Sequence, residues 1–290
     1  MSRRLRQIGA GRGSQRGGSS VRRVLAVLAL VAAAGAAAAQ TVSTTAKFAH
    51  LEDYETGATL FSKAGDEPMP PASTSKLMVA EIVFHELKDG RLKLDDTFRV
   101  SEYAWRTGGA RSRGSTMFLR VKSEAKVDDL LRGLIIQSGN DAAIVIAEGV
   151  AGSEKGFAAI MNAHARAIGM TRSHFTNPWG RAGNRVTPRD MVKLASYVIN
   201  TYPQYYKYFG QPEFTWRGIR QQNRNPLLAD GADGLKTGHL AASGFGLVAS
   251  APVGGHRLIL VLNGLKSEKE RASEGRRLLD YGRSALGEGG

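Results

Sequence analysis

The chain has 290 residues, with 40 Lys and Arg against 26 Asp and Glu, giving a formal net charge of +14. An apolar content of 42% without a Gly-X-Y period excludes collagen, coiled coil and a wholly disordered chain. The length allows one large domain or two small ones, and the absence of Cys removes disulfides and thiolate metal or redox chemistry.

The charge is uneven. Residues 1–39 carry Arg3, Arg4, Arg6, Arg12, Arg16, Arg22 and Arg23 and no acid, so the remainder holds +7. Arg22-Arg23 precede the apolar run Val24 to Val31 and an Ala-rich stretch ending at Ala39, the order of a secretory signal peptide with cleavage expected after Ala39. A retained anchor would need a longer apolar run, since the strongly apolar part is shorter than the roughly 20 residues a span requires. On an exported protein the remaining charge fits anionic envelope material or a solvated basic face, and nucleic acid is not an expected partner.

Along residues 40–290, 46–52 and 58–62 read as strands joined at Glu55-Thr56-Gly57. Pro70, Pro71 and Ser73 open a helix over 74–88 that is apolar on most sides and therefore buried, stopped by Asp89-Gly90. The stretch 92–225 reads as mostly helical. Helices are expected over 127–137 and 141–150, from a Ser153 cap to Gly169, and from Thr187-Pro188 to about Thr201. Strands follow at 243–251 and 257–263, with Lys236-Thr237-Gly238 before the first, and a last helix spans 268–286. Strands at both ends imply a mixed α/β fold: one antiparallel sheet from both chain ends packed with helices, plus an inserted, mostly helical subdomain.

Several chemistries are absent. There is no His-Glu-x-x-His and the six His are scattered, so no metal site is expected; there is no Gly-x-Ser-x-Gly elbow and no phosphate loop, so no cofactor is expected either. Three short strings remain. In Ser73-Thr74-Ser75-Lys76 the hydroxyl lies at the positive end of the helix, and Lys76 follows at a spacing that shares its face. Inside an apolar helix an ammonium is poorly solvated, which lowers its pKa, and a neutral amine beside a hydroxyl is a general base for acyl transfer. Ser138-Gly139-Asn140 joins two apolar helices and can present polar side chains to a cleft. Lys236-Thr237-Gly238 offers a charge for a carboxylate, a hydroxyl and a close backbone approach. Alone, the last two read as an ordinary turn and a charged strand entry. A second Ser-x-x-Lys, Ser123 to Lys126, lies among charged residues and reads as a solvated helix start.

Taken in this order, the three strings are the set found in penicillin-binding proteins and class A β-lactamases. The chain resembles the low-molecular-mass penicillin-binding proteins, the serine-type D-alanyl-D-alanine carboxypeptidases, over roughly 46–282. The likeness extends to Pro71 to Met78, Gly114 to Leu119, Ser138 to Ala143, His174 to Pro178 and Asp233 to His239. It implies a penicillin-binding-protein/β-lactamase-like fold and an acyl-enzyme on Ser73, formed from peptidoglycan stem peptides and blocked covalently by β-lactams. It further implies Lys76 as base, Ser138 as proton relay to the leaving amine, and Asn140 as holder of Lys76 and the substrate amide. Ser73 and His239 N–H groups would form the oxyanion hole, with Lys236, Thr237 and Arg271 binding the terminal carboxylate beside Gly238.

The sequence shows no counterpart of the C-terminal β-domain and membrane-anchoring helix of many relatives. A soluble periplasmic or envelope enzyme without a stable anchor is therefore expected once the signal is removed. A class A β-lactamase is disfavoured, since no Glu lies between Glu154 and Glu213 and the middle string has Gly139 rather than Asp. Two further functions fit the same scaffold less well: a D,D-endopeptidase, and a non-catalytic wall- or β-lactam-binding module.

Overall fold

The computed structural model describes residues 42–287, so the expected signal segment lies outside the described residues. In chain order the strands are β1 (Phe48–Asp53), β2 (Thr59–Lys63), β3 (Thr97–Arg99), β4 (Glu124–Lys126), β5 (Glu213–Trp216), β6 (Ile219–Gln222), β7 (Gly234–Leu240), β8 (Gly244–Val253) and β9 (His256–Leu265). The helices are α1 (Lys76–Lys88), α2 (Glu102–Gly108), α3 (Val127–Ile135), α4 (Asn140–Ala151), α5 (Glu154–Ile168), α6 (Pro188–Thr201), α7 (Pro203–Tyr206) and α8 (Glu268–Ala285).

The main sheet is five-stranded and antiparallel in the order β2-β1-β9-β8-β7. Its central strands are buried on both faces, so they read as nearly continuous apolar runs. The period of two still decides which core each side chain enters. Leu258, Leu260 and Leu262 of β9 and Leu247, Ala249 and Ala251 of β8 pack with Leu278 and Leu279 of α8, whereas Ile259, Val261 and Val248 join the larger core around α1. Gly275 and Gly282 let α8 lie close to the sheet, for a Cβ at either would meet leucine side chains at 2.9 or 2.6 Å. The mixed α/β architecture expected from the sequence, a sheet from both chain ends with a largely helical insert, is the one observed.

Helix α1 is the centre of the larger core. Leu77 to Phe84 are all buried, which explains the absence of a polar stripe in that segment. Ser101, Ser153, Thr187 and Ser267 each accept a backbone N–H three residues on, capping α2, α5, α6 and α8. Gly152 and Gly169 end α4 and α5 in the left-handed region.

The structure departs from the sequence reading in four places. The segment 92–225 also contains two small sheets, β3-β4 and β5-β6. In the latter, buried Phe214 and Trp216 alternate with exposed Glu213 and Thr215 across an Arg217-Gly218 turn whose φ values are both positive, a hairpin signature. Ser123 to Lys126 is not a helix start: Glu124–Lys126 is β4, and α3 begins at Val127. Residues Ala72–Ser75 form a 3₁₀ turn ahead of α1, so Ser73 stands before the α-helix proper. Lys236, Thr237 and Gly238 do not precede a strand but lie inside β7, the edge of the main sheet.

Leu278→Ala in α8 empties a fully buried site between helix and sheet. It is expected to lower stability by about 2–5 kcal/mol, read as a lower urea midpoint with an unchanged m-value.

Candidate active site

Lys76, the first residue of α1, is 1% exposed, and its ammonium nitrogen sits among three oxygens: Ser73 Oγ at 2.9 Å, Asn140 Oδ1 at 2.7 Å and the Trp179 carbonyl at 2.9 Å. Burial, reinforced by the positive charge of Arg224 and opposed by Asp141, lowers its pKa to about 7. As an ammonium the group donates to all three oxygens. As a neutral amine it has two N–H groups, which suit the two carbonyl-type oxygens, and its lone pair is then free to accept the Ser73 hydroxyl.

Each partner of Lys76 is itself held. Asn140 opens α4, and its backbone N–H donates to the Ser115 carbonyl at 2.8 Å. Next to it, the fully buried Asp141 carboxylate accepts from Thr116 Oγ1 at 2.6 Å, Met117 N at 3.0 Å, Leu119 N at 3.1 Å and Ala142 N at 3.0 Å. That anion at the positive end of α4 binds the 115–119 segment to the helix. The Trp179 carbonyl is set by Asn177, whose Oδ1 accepts Gly180 N at 2.9 Å and Arg181 N at 3.1 Å. Gly180 has φ +89° and lies against Ala72, where a Cβ would be 2.0 Å from the Ala72 carbonyl oxygen.

A cleft of about 460 Å³ opens above this nitrogen. Ser73, Ser138, Asn140, Thr237, Gly238, His239 and Arg271 all line it, so seven of the nine residues expected from the sequence share one surface. Ser138 adopts φ +63°, and its buried hydroxyl has no hydrogen-bond partner among the described residues. A buried hydroxyl without a partner is costly and marks a place where a ligand or water can bond. Gly238 packs on the Ser73 turn: a Cβ there would lie 3.0 Å from Pro71 O and Thr74 N and 3.1 Å from Ser73 N. The side of β7 away from β8 has no strand partner, which leaves backbone groups open to the cleft.

The two remaining expected residues lie behind the wall. Lys76 is reached through Ser73. Lys236 is 2% exposed and donates to the Thr237 carbonyl at 3.0 Å. Burial, then the charges of Lys76, Arg224 and Arg271, holds its pKa well below the ordinary lysine value. Its ammonium group sits behind the cleft wall rather than on its surface. The cations on the cleft surface are Arg113, Arg181, Arg224 and Arg271. Arg271 lies over the Phe245 ring, which in turn stacks on His239 at 3.9 Å between centroids. Its Nε is buried without a partner among the described residues, and Glu268 stands 3.7 Å from its Nη2.

Arg224, Asp141 and Trp179 have no role in the sequence reading. Arg224 Nη1 donates to Ser115 Oγ at 2.7 Å, and its loop is fixed by Asn223 Oδ1 to Asn225 N and by Asn225 Oδ1 to Leu227 N. The Asn-Arg-Asn-Pro run was the available signal for a rigid loop. Trp179 contributes only a backbone carbonyl, which leaves no signature in a side chain.

The peptidase S11 family, described as D-alanyl-D-alanine carboxypeptidase, matches residues 34–267. The chain belongs to that family. D-alanyl-D-alanine carboxypeptidase DacC of Escherichia coli K12 is 41% identical over 246 residues, 83% of this chain and 62% of the relative, so the chain spans about that share of its length. Among solved structures, penicillin binding protein 5 from Haemophilus influenzae superposes with a TM-score of 0.81 at 35% identity, covering 84% of this chain and 72% of that one. Penicillin binding protein 6B from Escherichia coli gives 0.79 at 37%, covering 84% and 79%. The resemblance read from the sequence is thus borne out. In this member of the carboxypeptidase family, residues of all three short strings line one cleft.

Asp141→Ala leaves several buried donors without their acceptor. We expect a loss of about 3 kcal/mol in stability, read as a lower thermal midpoint that Asp141→Asn only partly restores.

Proposed function

We propose that the chain is a serine-type D-alanyl-D-alanine carboxypeptidase that removes the terminal D-alanine from peptidoglycan stem peptides. The observation that carries this reading is the buried Lys76 amine, 2.9 Å from Ser73 Oγ and with its pKa lowered to about 7. Such an amine takes the Ser73 proton as the oxygen attacks the carbonyl between the two terminal residues. Backbone N–H groups of Ser73 and His239 receive the developing oxyanion, an interaction whose loss typically costs about 2.7–4 kcal/mol. The proton passes through Ser138 to the leaving amine as the C–N bond breaks, which gives the partnerless Ser138 hydroxyl a use. Asn140 fixes Lys76 and faces the substrate amide. Water then hydrolyses the Ser73 ester.

The terminal carboxylate is held by Thr237, Arg271 and Arg224. Two guanidiniums in one wall suit a planar anion. Lys236 contributes from behind, by holding the Thr237 carbonyl and supporting the strand. β-Lactams acylate Ser73 because they present a similar carbonyl and carboxylate. The name of the Haemophilus relative, a penicillin binding protein, supports this.

We place the protein in the periplasm or cell envelope, reached through the N-terminal basic and apolar segment, with residues 40–290 forming the catalytic domain. Among the described residues no helix is long and apolar enough to cross a membrane. A β-lactamase reading has little support, for the one glutamate lining the cleft, Glu268, stands at the carboxylate end beside Arg271.

Release of D-alanine from a synthetic pentapeptide is expected for the native chain and absent in Ser73→Ala. Intact-protein mass spectrometry after exposure to penicillin should show one adduct at Ser73; its absence would refute the mechanism. The neutral amine is the base and its fraction grows with pH. The rate of Ser73 acylation should therefore rise with pH on a limb centred at about 7. A profile flat from pH 5 to 9 would remove Lys76 from that role.

A further inference from the structure

Away from the cleft, the main sheet carries a cluster of side chains that catalysis does not use. Asp53 closes β1, Glu55 lies in the turn after it, and His256 opens β9. Asp53 pairs with Leu258 and Leu258 with Ala251, whereas Gly238 pairs with Gly246, so the cluster and the catalytic part of β7 lie toward opposite ends of β8. One oxygen or nitrogen from each of the three side chains lies within 4.8 Å of the other two.

We propose that Asp53, Glu55 and His256 form a binding site for one divalent ion of the zinc class, which clips the turn after β1 to the β8-β9 hairpin. The inference is independent of the carboxypeptidase reading. The donors come from two turns, and Asp53 and His256 are 203 positions apart, so no sequence motif announces the site.

The donor set has the chemistry of such a site. Zinc takes imidazole nitrogen and carboxylate oxygen together, and three protein ligands leave its fourth place to water. Calcium and magnesium prefer oxygen alone. Two carboxylates and a neutral imidazole balance a divalent charge, whereas two carboxylates this close repel each other when no cation stands between them. The spacing agrees. His256 Nδ1 is 3.1 Å from Asp53 Oδ1 and 3.1 Å from Oδ2. One N–H cannot point at both oxygens, so equal spacing makes a poor hydrogen bond. It suits donors around a small cation, for metal–ligand distances of about 2.0–2.2 Å put neighbouring donors roughly 3 Å apart.

The donors are also held in place. Asp53 is 2% exposed; its Oδ2 accepts Thr56 Oγ1 at 2.6 Å and its Oδ1 accepts Glu55 N at 3.3 Å. Glu55 Oε2 accepts Arg257 N at 2.5 Å. Bonds of this kind orient carboxylate ligands and still leave lone pairs for a metal. The two turns are tied together by Tyr54 N, which donates to the Arg257 carbonyl at 2.8 Å, and only Gly254 and Gly255 separate the paired Val253 and His256. The Arg257 guanidinium is taken up by Asp233 and Ser250, at 2.6–2.8 Å, rather than by the cluster. On binding, His256 Nδ1 releases its proton to solvent and gives its lone pair to the ion. The clip closes a long loop, which stabilises the folded chain by restricting the unfolded one.

The test uses the purified, untagged chain, freed of metal with a chelator, and zinc chloride as the probe. Calorimetric titration should show one zinc bound per chain, and magnesium chloride at the same concentration should show none. At zinc concentrations about 100 times Kd the thermal midpoint should rise by about 5–10 °C. His256→Ala and Glu55→Gln should each weaken zinc binding by about tenfold or more, equivalent to roughly 1.4 kcal/mol. Glu55→Gln alters an exposed side chain and keeps an acceptor for Arg257 N, so it tests the site in a folded chain even if His256→Ala is unstable. His174→Ala, which removes an exposed histidine outside the cluster, should leave affinity and midpoint shift unchanged. Equal zinc affinity in the native chain, His256→Ala and Glu55→Gln would show an adventitious ion only and overturn the site. So would the absence of saturable zinc binding, which leaves His256 and Asp53 as an ordinary ion pair.

Discussion

A single nitrogen with three oxygens around it is the constraint on which this structure turns. Lys76 brings together the turn before α1, the start of α4 and the loop before α6. A buried amine tolerates such a place only when its hydrogens are used, because an unpaired buried charge is far more costly than a paired one. The supporting groups follow from that requirement: Asp141 fixes the segment against Asn140, Asn177 aims the Trp179 carbonyl, and Gly180 lets that loop reach Ala72. The setting of the Ser73 hydroxyl is thus a property of three distant segments, secured by groups such as Asp141 and Asn177 that do not line the cleft.

Charge is the second organising feature. Lys236 feels the charges of Lys76, Arg224 and Arg271, and Lys76 feels that of Arg224, while Glu268 is the one acid among the described residues that lines the cleft. Cations in a poorly solvated place depress each other's proton affinity, which adds to the effect of burial in lowering the pKa of Lys76, and they draw an anion toward the guanidiniums. The lowered proton affinity of Lys76 and the attraction of the cleft for an anion therefore share a physical cause.

Much of this was legible in the residues. The uniformly apolar stretch after Ser73 announced a buried helix, and caps such as Ser153 and Thr187-Pro188 marked helix starts to within a residue. Residues Ser73, Ser138 and Thr237 could be assembled into one site because three strings in fixed order are far more specific than any one. What stayed hidden has physical reasons. Three-residue strands such as β3 and β4 are too short to show a period. The β5-β6 hairpin did carry alternation, at Phe214 and Trp216, but the helical signals before it outweighed four residues. The burial of Lys236 stayed hidden because sequence shows residue type and not depth. Arg224 and the Trp179 carbonyl enter the site through loops whose placement depends on long-range packing.

The position of Arg271 has a consequence for biosynthesis. The nucleophile and its base are encoded early in the domain, whereas this arginine belongs to the first turn of α8, and its helix becomes stable only by docking on the completed sheet through Leu278 and Leu279. A partly translated chain that stops before α8 therefore lacks one of the guanidiniums that line the cleft. Among the described residues, the cleft wall is complete only once this helix has docked.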